Sequence, residues 1–471
     1  MSRLALLLRA RVRRDPMIAA AAPVAREHGC RLLLVGGVVR DLALGAAPRD
    51  ADFLLLGRRR RAAVAAIAAA LGARAVRFRK RGVENWRVAV AGREHDLVTV
   101  APGRDEGRAL AAELRRRDFT MNAIAFDVHA QRILDPCGGQ ADLRRRRVRA
   151  TGAGVFRDDP LRLLRAVRFV CERPSLAIAP GTRDAIAKEA RRIRRVSAER
   201  IRDELDRILA SRRSAWGIRE ADRLGLLAPV IPEIVPMRGL EQNRWHHLDG
   251  WGHTLAALDA AADPAHLGRP VPGAEVPKGE RLVLLRWTLL LHDLGKVPTR
   301  TVDEDGEAHF FGHEEAGAVI AARIAKRLRF STARARAVRR LIELHLRVSI
   351  PVADEVSDRA WRRLIRDGGE LTPLLVLHSL ADKAASRGRA HRATTKRLRA
   401  ACNRLMTLYR EEAERILAPP RLVDGSDVMR LRGIPPGPEV GRWIEEIRSR
   451  QIAGEIRTRD EALEILRLPT L

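Results

Sequence analysis

Two aspartates one residue apart, Asp50 and Asp52, close the stretch GGVVRDLALGAAPRDADF at residues 36–53. On an extended strand alternate side chains share a face, so these carboxylates are expected side by side. Like charges that close repel unless cations sit between them, and oxygen ligands suit Mg²⁺. A two-metal site of this kind activates an attacking hydroxyl and stabilises a leaving pyrophosphate. Asp96 in HDLVT, on a neighbouring predicted strand, is well placed to add a third carboxylate. Gly36 and Gly37 follow an apolar run and precede VVRDLAL, so their bare backbone can approach a triphosphate and offer N–H groups to it. Arg40 adds positive charge on the first turn of that helix. Far downstream, WHHLDGWGHTL (245–255), LLLHDLGK (289–296), FGHEEAG (311–317), LIELHLRV (341–348) and LHSLADKAA (377–385) carry a second series of histidines and acids. Imidazole with carboxylate suits Mn²⁺, Fe²⁺, Ni²⁺ or Zn²⁺.

The elements that must position these groups follow from the apolar periodicity. A helix is predicted over 17–29, strands at RLLLV (31–35) and ADFLLL (51–56), an Ala-rich helix at 61–71, and strands at WRVAV (86–90) and HDLVTV (95–100). Strands alternating with helices make this an α/β unit ending near residue 150. From residue 156 the pattern is almost entirely helical, broken at Pro and Gly clusters in 229–238, 263–278 and 418–441.

Composition sets the partner class. The net charge of +30 favours a polyanion such as nucleic acid. Only seven of the 89 basic residues are Lys, so an arginine-rich composition supplies much of the excess and the charge is modest support. Four widely spaced cysteines show no metal-ligand spacing, which predicts free thiols in a reducing compartment and no disulfide-linked partner. No apolar run approaches the roughly 18 residues that span a bilayer, and LALLL is too short for a signal-peptide core. The expectation is a cytoplasmic protein without a membrane partner.

The order GG, RD and D-x-D resembles motif A of the class II tRNA nucleotidyltransferases and bacterial poly(A) polymerases. RRDFTMNAIAFD (116–127) and ILDPCGGQADL (133–143) resemble that family's second and third motifs. The resemblance implies that Arg117, Asp118 and Asn122 hold ribose and triphosphate together with Gly36, Gly37, Arg40 and Asp41. FRDDPLRLLRAVRF (156–169) resembles the family's base-reading helix, with Asp158 where Glu is usual. Asp159 and Arg162, three apart, are expected on one helical face. A carboxylate beside a guanidinium accepts and donates in the order that cytosine and adenine present and that uracil and guanine refuse. Arg165 and Arg168 extend the stripe at helical spacing towards the phosphates. SAERIRDELDRIL (197–209) matches the helix that follows in the family's neck.

Adjacent His292 and Asp293, with a histidine upstream and an aspartate downstream, resemble the HD metal-dependent phosphohydrolases. The resemblance implies His253, His292, Asp293 and Asp382 as ligands, and His313 and His345 as the extra histidines of two-metal members. LVDGSDVMRLRGIPPGPEVGRWI (422–444) resembles the tail of HD-containing CCA-adding enzymes. Its Gly-Pro loop either presents Arg430 and Arg432 to RNA phosphates or rigidly joins two helices.

The implied protein is α+β: a small mixed α/β nucleotidyltransferase head (1–150), then an all-helical neck (151–225), HD body (226–393) and tail (394–471). Its implied activity is untemplated addition of C and A, from CTP and ATP, to the tRNA 3′ end, with Mg²⁺ in the head and a transition metal in the body. The tRNA would be held by shape and phosphates. One departure is the segment 97–117, which lacks the longer mobile loop usual in full CCA-adding members. That makes a CC-adding enzyme the first alternative. A poly(A) polymerase is less favoured, because the bacterial ones generally lack the HD segment. A chain acting mainly as a phosphohydrolase on 2′,3′-cyclic or 2′-phosphate ends is a further alternative.

Overall fold

A computed structural model describes residues 3–48, 51–80, 83–90, 93–243, 247–349, 356–386 and 391–468; Asp50 lies outside the described residues. The chain divides into two compact units, Met1–Ser197 with Arg223–Leu226, and Ala198–Asp222 with Leu227–Leu471.

The first unit is built on seven strands: β1 (Arg31–Val35), β2 (Asp52–Leu56), β3 (Ala75–Lys80), β4 (Val83–Val90), β5 (Arg93–Val100), β6 (Ala125–Asp127) and β7 (Arg132–Leu134). They lie in the order β3-β4-β5-β2-β1-β6-β7. The β2–β5 pair is parallel and the others antiparallel, so the sheet is mixed. RLLLV and DFLLL read as continuous apolar runs because both faces of these central strands are covered. On one face Leu33, Val35, Leu54 and Leu56 pack with Leu110 and Leu114 of the helix Glu106–Arg115. On the other, the helix Pro16–Glu27 packs on β1 and on the helix Arg60–Ala70. Asp15 caps Pro16–Glu27 by accepting from the amides of Met17 and Ile18.

The stretch 156–169 does not form the single helix expected. Val155–Asp158 ends, Asp159 is extended (φ −150°, ψ 98°), and a new helix runs over Arg162–Glu172. Pro160 explains the break, because its ring disfavours helical geometry at the preceding residue. Asp159 and Arg162 therefore do not share a helical face. A short parallel strand pair, Arg147–Val148 with Ala177–Ile178, also escaped the sequence reading.

Among its described residues the second unit is helical apart from a small hairpin, Thr301–Val302 with Ala308–His309. Its principal helices include Gly250–Ala260, Gly279–Leu291, His313–Arg327, Thr332–Leu344, Thr372–Ala385 and His391–Leu417. At the C-terminal end Val428, Trp443, Ile447 and Leu466 form their own core. Arg432 lies 4.3 Å over the Trp443 ring, and Arg430 pairs with Asp427 at 3.0 Å. Both arginines are thus engaged with neighbours in the tail. Among the described residues no helix is long and apolar enough to cross a membrane.

Candidate active site and metal centre

In the first unit, sheet register brings the acids together. Phe53 of β2 pairs with Leu97 of β5 in a parallel ladder, so Asp52 and Asp96, one step earlier on each strand, fall on the same face. Asp96 is held by Arg87, whose Nε and Nη2 donate to its two oxygens at 2.9 and 3.4 Å. His95 points the other way and places Nδ1 3.2 Å from the carbonyl oxygen of Ala51, fixing the backbone just before Asp52. Gly36 has φ +75°, a conformation that favours glycine. A Cβ there would sit 2.6 Å from Arg117 Nη1 and 3.3 Å from Asp52 Oδ2, so Gly36, Asp52 and Arg117 converge on one point. Gly37 opens the next helix, with Arg40 Nη2 3.6 Å from where its Cβ would lie.

Behind them runs a continuous polar chain. Arg173 donates to Asp41 Oδ1 at 2.7 Å, and Arg40 Nε donates to the same oxygen at 2.9 Å. Arg40 Nη1 donates to Asn122 Oδ1 at 2.9 Å, Asn122 donates to Asp118 Oδ1 at 2.8 Å, and Arg165 pairs with Asp118 at 2.9 Å. Burial alone would raise the pKa of Asp118, but the Arg165 charge and the Asn122 hydrogen bond hold it below the ordinary carboxylate value. The Phe169 ring lies beneath the guanidinium groups of Arg40 at 5.0 Å and Arg168 at 4.5 Å.

Two arginines of the expected base-reading stripe are placed differently. Arg162 is buried, donating Nη1 to the Val155 carbonyl at 3.2 Å and Nη2 to the Arg116 carbonyl at 2.6 Å. Asp159 accepts from the Leu161 amide at 3.3 Å. Arg168 is buried as well and pairs with Glu172 at 2.7 Å, so it does not extend outward towards phosphates. Arg173 was missed because its partner Asp41 lies 132 residues away in sequence, and Phe169 because an aromatic at a helical position does not announce the guanidinium groups over its ring.

In the second unit, six expected ligands converge from five segments. His253 stands on Gly250–Ala260, His292 caps Gly279–Leu291, and Asp293 follows it. His313 opens His313–Arg327, His345 follows Thr332–Leu344, and Asp382 lies on Thr372–Ala385. They fall into two groups, His253, His292 and Asp382, and Asp293, His313 and His345, with the ligand atoms of each within 4.8 Å of one another. His253 Nε2 is 2.7 Å from Asp382 Oδ1, His292 Nε2 is 3.2 Å from Asp293 Oδ2, and His313 Nε2 is 3.3 Å from His345 Nε2.

Glycine allows this convergence. A Cβ on Gly295 would run into the carbonyl of His313 and the amide of Gly317, and one on Gly317 would lie 3.0 Å from the carbonyl of His292. The HDLGK turn therefore packs backbone to backbone on the start of His313–Arg327. Lys296 bridges Asp293 Oδ2 at 2.8 Å and Gln242 Oε1 at 2.7 Å. Burial opposes charge on His292, yet Asp293 and Asp382 push its pKa up to about 10. Burial and the neighbouring His292 and His313 lower His345 to about 3. His378, one helical turn before Asp382, is fully buried with its ring centroid 5.0 Å from that of His292, and neither ring nitrogen has a hydrogen-bond partner among the described residues. The sequence reading assigned no role to His378, Lys296 or Gln242; the spacing H-x-x-x-D in LHSLAD was the available signal for the first.

The donor set fits resident cations. His292, His313 and His345 each direct Nδ1 at the carbonyl three residues upstream, of Leu289, Phe310 and Ile342, at 2.9, 2.8 and 2.7 Å. That bond sets the tautomer and leaves Nε2 as the ligand atom facing the cluster.

Family models match both parts of the chain. The Poly A polymerase head domain matches residues 32–149, the probable RNA and SrmB-binding site of polymerase A residues 175–237, and the HD domain residues 250–386. These define a nucleotidyltransferase head joined to an HD domain on one chain. An A-adding tRNA nucleotidyltransferase of Deinococcus radiodurans is 36% identical over 91% of this chain and 93% of its own. A CC-adding tRNA nucleotidyltransferase of Thermus thermophilus is 33% identical over 92% of each. The fold matches the crystal structure of the Bacillus stearothermophilus CCA-adding enzyme in complex with CTP, with TM-score 0.62, 23% identity and coverage of 96% and 97%. The chain belongs to the tRNA nucleotidyltransferase family and is an enzyme.

Proposed function

We propose that this enzyme adds the two cytidines of the CCA end to tRNA and leaves the terminal adenosine to a partner enzyme. The carrying observation is the compact connection after β5: residues 101–105 lead straight into Glu106–Arg115, which returns the chain to Arg117 and Asp118. The segment associated by resemblance with the switch to ATP has no room there. A second reading, addition of the A alone, is favoured by the Deinococcus relative. In either case the 3′ hydroxyl of the RNA displaces pyrophosphate from the α-phosphorus of the nucleoside triphosphate. Asp52, with Asp50 and Asp96, would hold Mg²⁺, which when bound supplies charge that acidifies the hydroxyl and stabilises pyrophosphate. Arg117 beside Gly36, and Arg40 fixed by Asp41 and Asn122, orient the triphosphate; Arg87 must release Asp96 for that carboxylate to join.

The HD centre is proposed to hydrolyse phosphate esters at RNA ends, 2′-phosphates and 2′,3′-cyclic phosphates. The two ligand groups support this, since paired cations serve that class of reaction.

The deciding experiment offers two substrates, tRNA ending at the base before CCA and tRNA ending in CC, with CTP and ATP, and sequences the product ends. Extension of the first to CC and none of the second is expected. Extension only of the second means A addition, complete CCA means the full activity, and long A tails mean a poly(A) polymerase.

A further inference from the structure

Phe311, in FGHEEAG, is 81% exposed, the most exposed large apolar side chain among the described residues. Its ring lies parallel to the imidazole of His309, at an interplanar angle of 6° and a centroid distance of 5.4 Å. The stack is held from below. His309 Nε2 is 2.6 Å from Asp303 Oδ2, and Asp303 Oδ1 accepts from the amides of Asp305 and Glu307 at 3.1 and 2.8 Å, closing the turn of the hairpin Thr301–Val302 with Ala308–His309. Chain direction then alternates. Phe310 is buried, with Lys296 Nζ 5.7 Å over its ring, Phe311 faces outward, and Gly312 at φ +73° turns the chain into His313. Two peptide links limit the Cα separation of Phe311 and His313 to about 7.6 Å. An exposed aromatic face thus stands two residues along the chain from a ligand of the metal-binding cluster.

We propose that the His309–Phe311 stack is a platform for the nucleobase of the RNA end whose phosphate the HD centre hydrolyses. This rests on the phosphohydrolase reading above. Stacking on an aromatic face tolerates any base, because every base has a π-face, and this suits an end that differs among RNAs. Hydration of the bare phenyl is unfavourable, so covering it with a base contributes to binding.

The test uses the full-length protein loaded with Mn²⁺, with adenosine 2′-monophosphate and base-free glycerol 2-phosphate as substrates. Phe311→Ala is expected to raise the KM for the nucleotide roughly ten-fold, the effect of deleting one base stack, with kcat and glycerol 2-phosphate hydrolysis unchanged. Phe311→Trp should restore the wild-type KM. Equal KM in wild type and Phe311→Ala, or an equal loss on both substrates, overturns the platform. If the wild type hydrolyses neither substrate, the phosphohydrolase reading fails on its own account. Equilibrium dialysis of adenosine 2′-monophosphate then decides: roughly ten-fold weaker binding by Phe311→Ala sustains the platform, while equal binding, or none by the wild type, overturns it.

Discussion

The head site and the HD centre hold negative charge in opposite ways. In the head three carboxylates are answered by arginine: Asp118 by Arg165, Asp41 by Arg40 and Arg173, Asp96 by Arg87. Several of these side chains remain partly open to water. In the HD centre the answering groups are imidazoles and Lys296, and His253, His292, Asp293 and His345 are buried. An arginine-lined, partly solvated site suits a polyanion that must enter and leave, since phosphate contacts exchange with counterions. Buried charges without such access are tolerated only when paired or bound to metal, which suits a resident cation. On the proposed roles, one chain would use guanidinium where the ligand is transient and imidazole where it stays.

The largest expected effect separates the two centres. Asp52→Ala should lower nucleotide addition by more than about 10²-fold while sparing phosphate-ester hydrolysis, and His292→Ala should do the reverse and lower metal content. Primer extension, hydrolysis and metal analysis of both variants provide the check; loss of both activities in either variant would end the claim of two independent centres. Next comes Gly295→Ala, whose methyl group meets backbone on two sides. It should destabilise the protein by about 3 kcal/mol and abolish hydrolysis, read by calorimetry beside the assay.

Arg162→Ala sharpens the head description. If the side chain serves the Val155 and Arg116 carbonyls, one buried and one part-buried acceptor lose their donor and stability falls by roughly 2 kcal/mol without nucleotide present. An unchanged melting temperature with altered base choice would return Arg162 to a purely base-reading role. The smallest effect concerns Asp118→Asn, expected to cost roughly 2 kcal/mol at pH 7. The folded pKa of Asp118 is lowered, so its stabilisation is present above the ordinary value of 3.8 and lost as pH falls through the lower folded value. The difference in melting temperature between wild type and Asp118→Asn should therefore shrink as pH drops from 7 towards 3.

Much of the central sheet was legible, since RLLLV and DFLLL are short apolar runs bounded by turn residues, and they form β1 and β2. The β3 strand was not read, although Gly72 turns the chain before it, because three of the six residues in AVRFRK are charged and only Val76 and Phe78 mark the alternation. Of the groups in the proposed nucleotide site and the polar chain behind it, Gly36, Arg40, Asp118 and Asn122 were picked out by order, whereas Arg173 was not, because its bond to Asp41 spans 132 residues. The helical periodicity of 156–169 was read correctly from Arg162 onward, but Pro160 was given too little weight at Asp159.

The sequence by itself determined the ligand types: which positions carry imidazole, carboxylate or guanidinium, and in what order. Tertiary structure alone decided how those ligands divide. Neighbours His292 and Asp293 fall in different groups, each completed by residues from other helices. The reason is geometric. The ligands stand on five separate segments, and His292 and Asp293 meet each other at 3.2 Å as well, so adjacency along the chain says little about which cation each would hold and only the packing of those segments gathers each group.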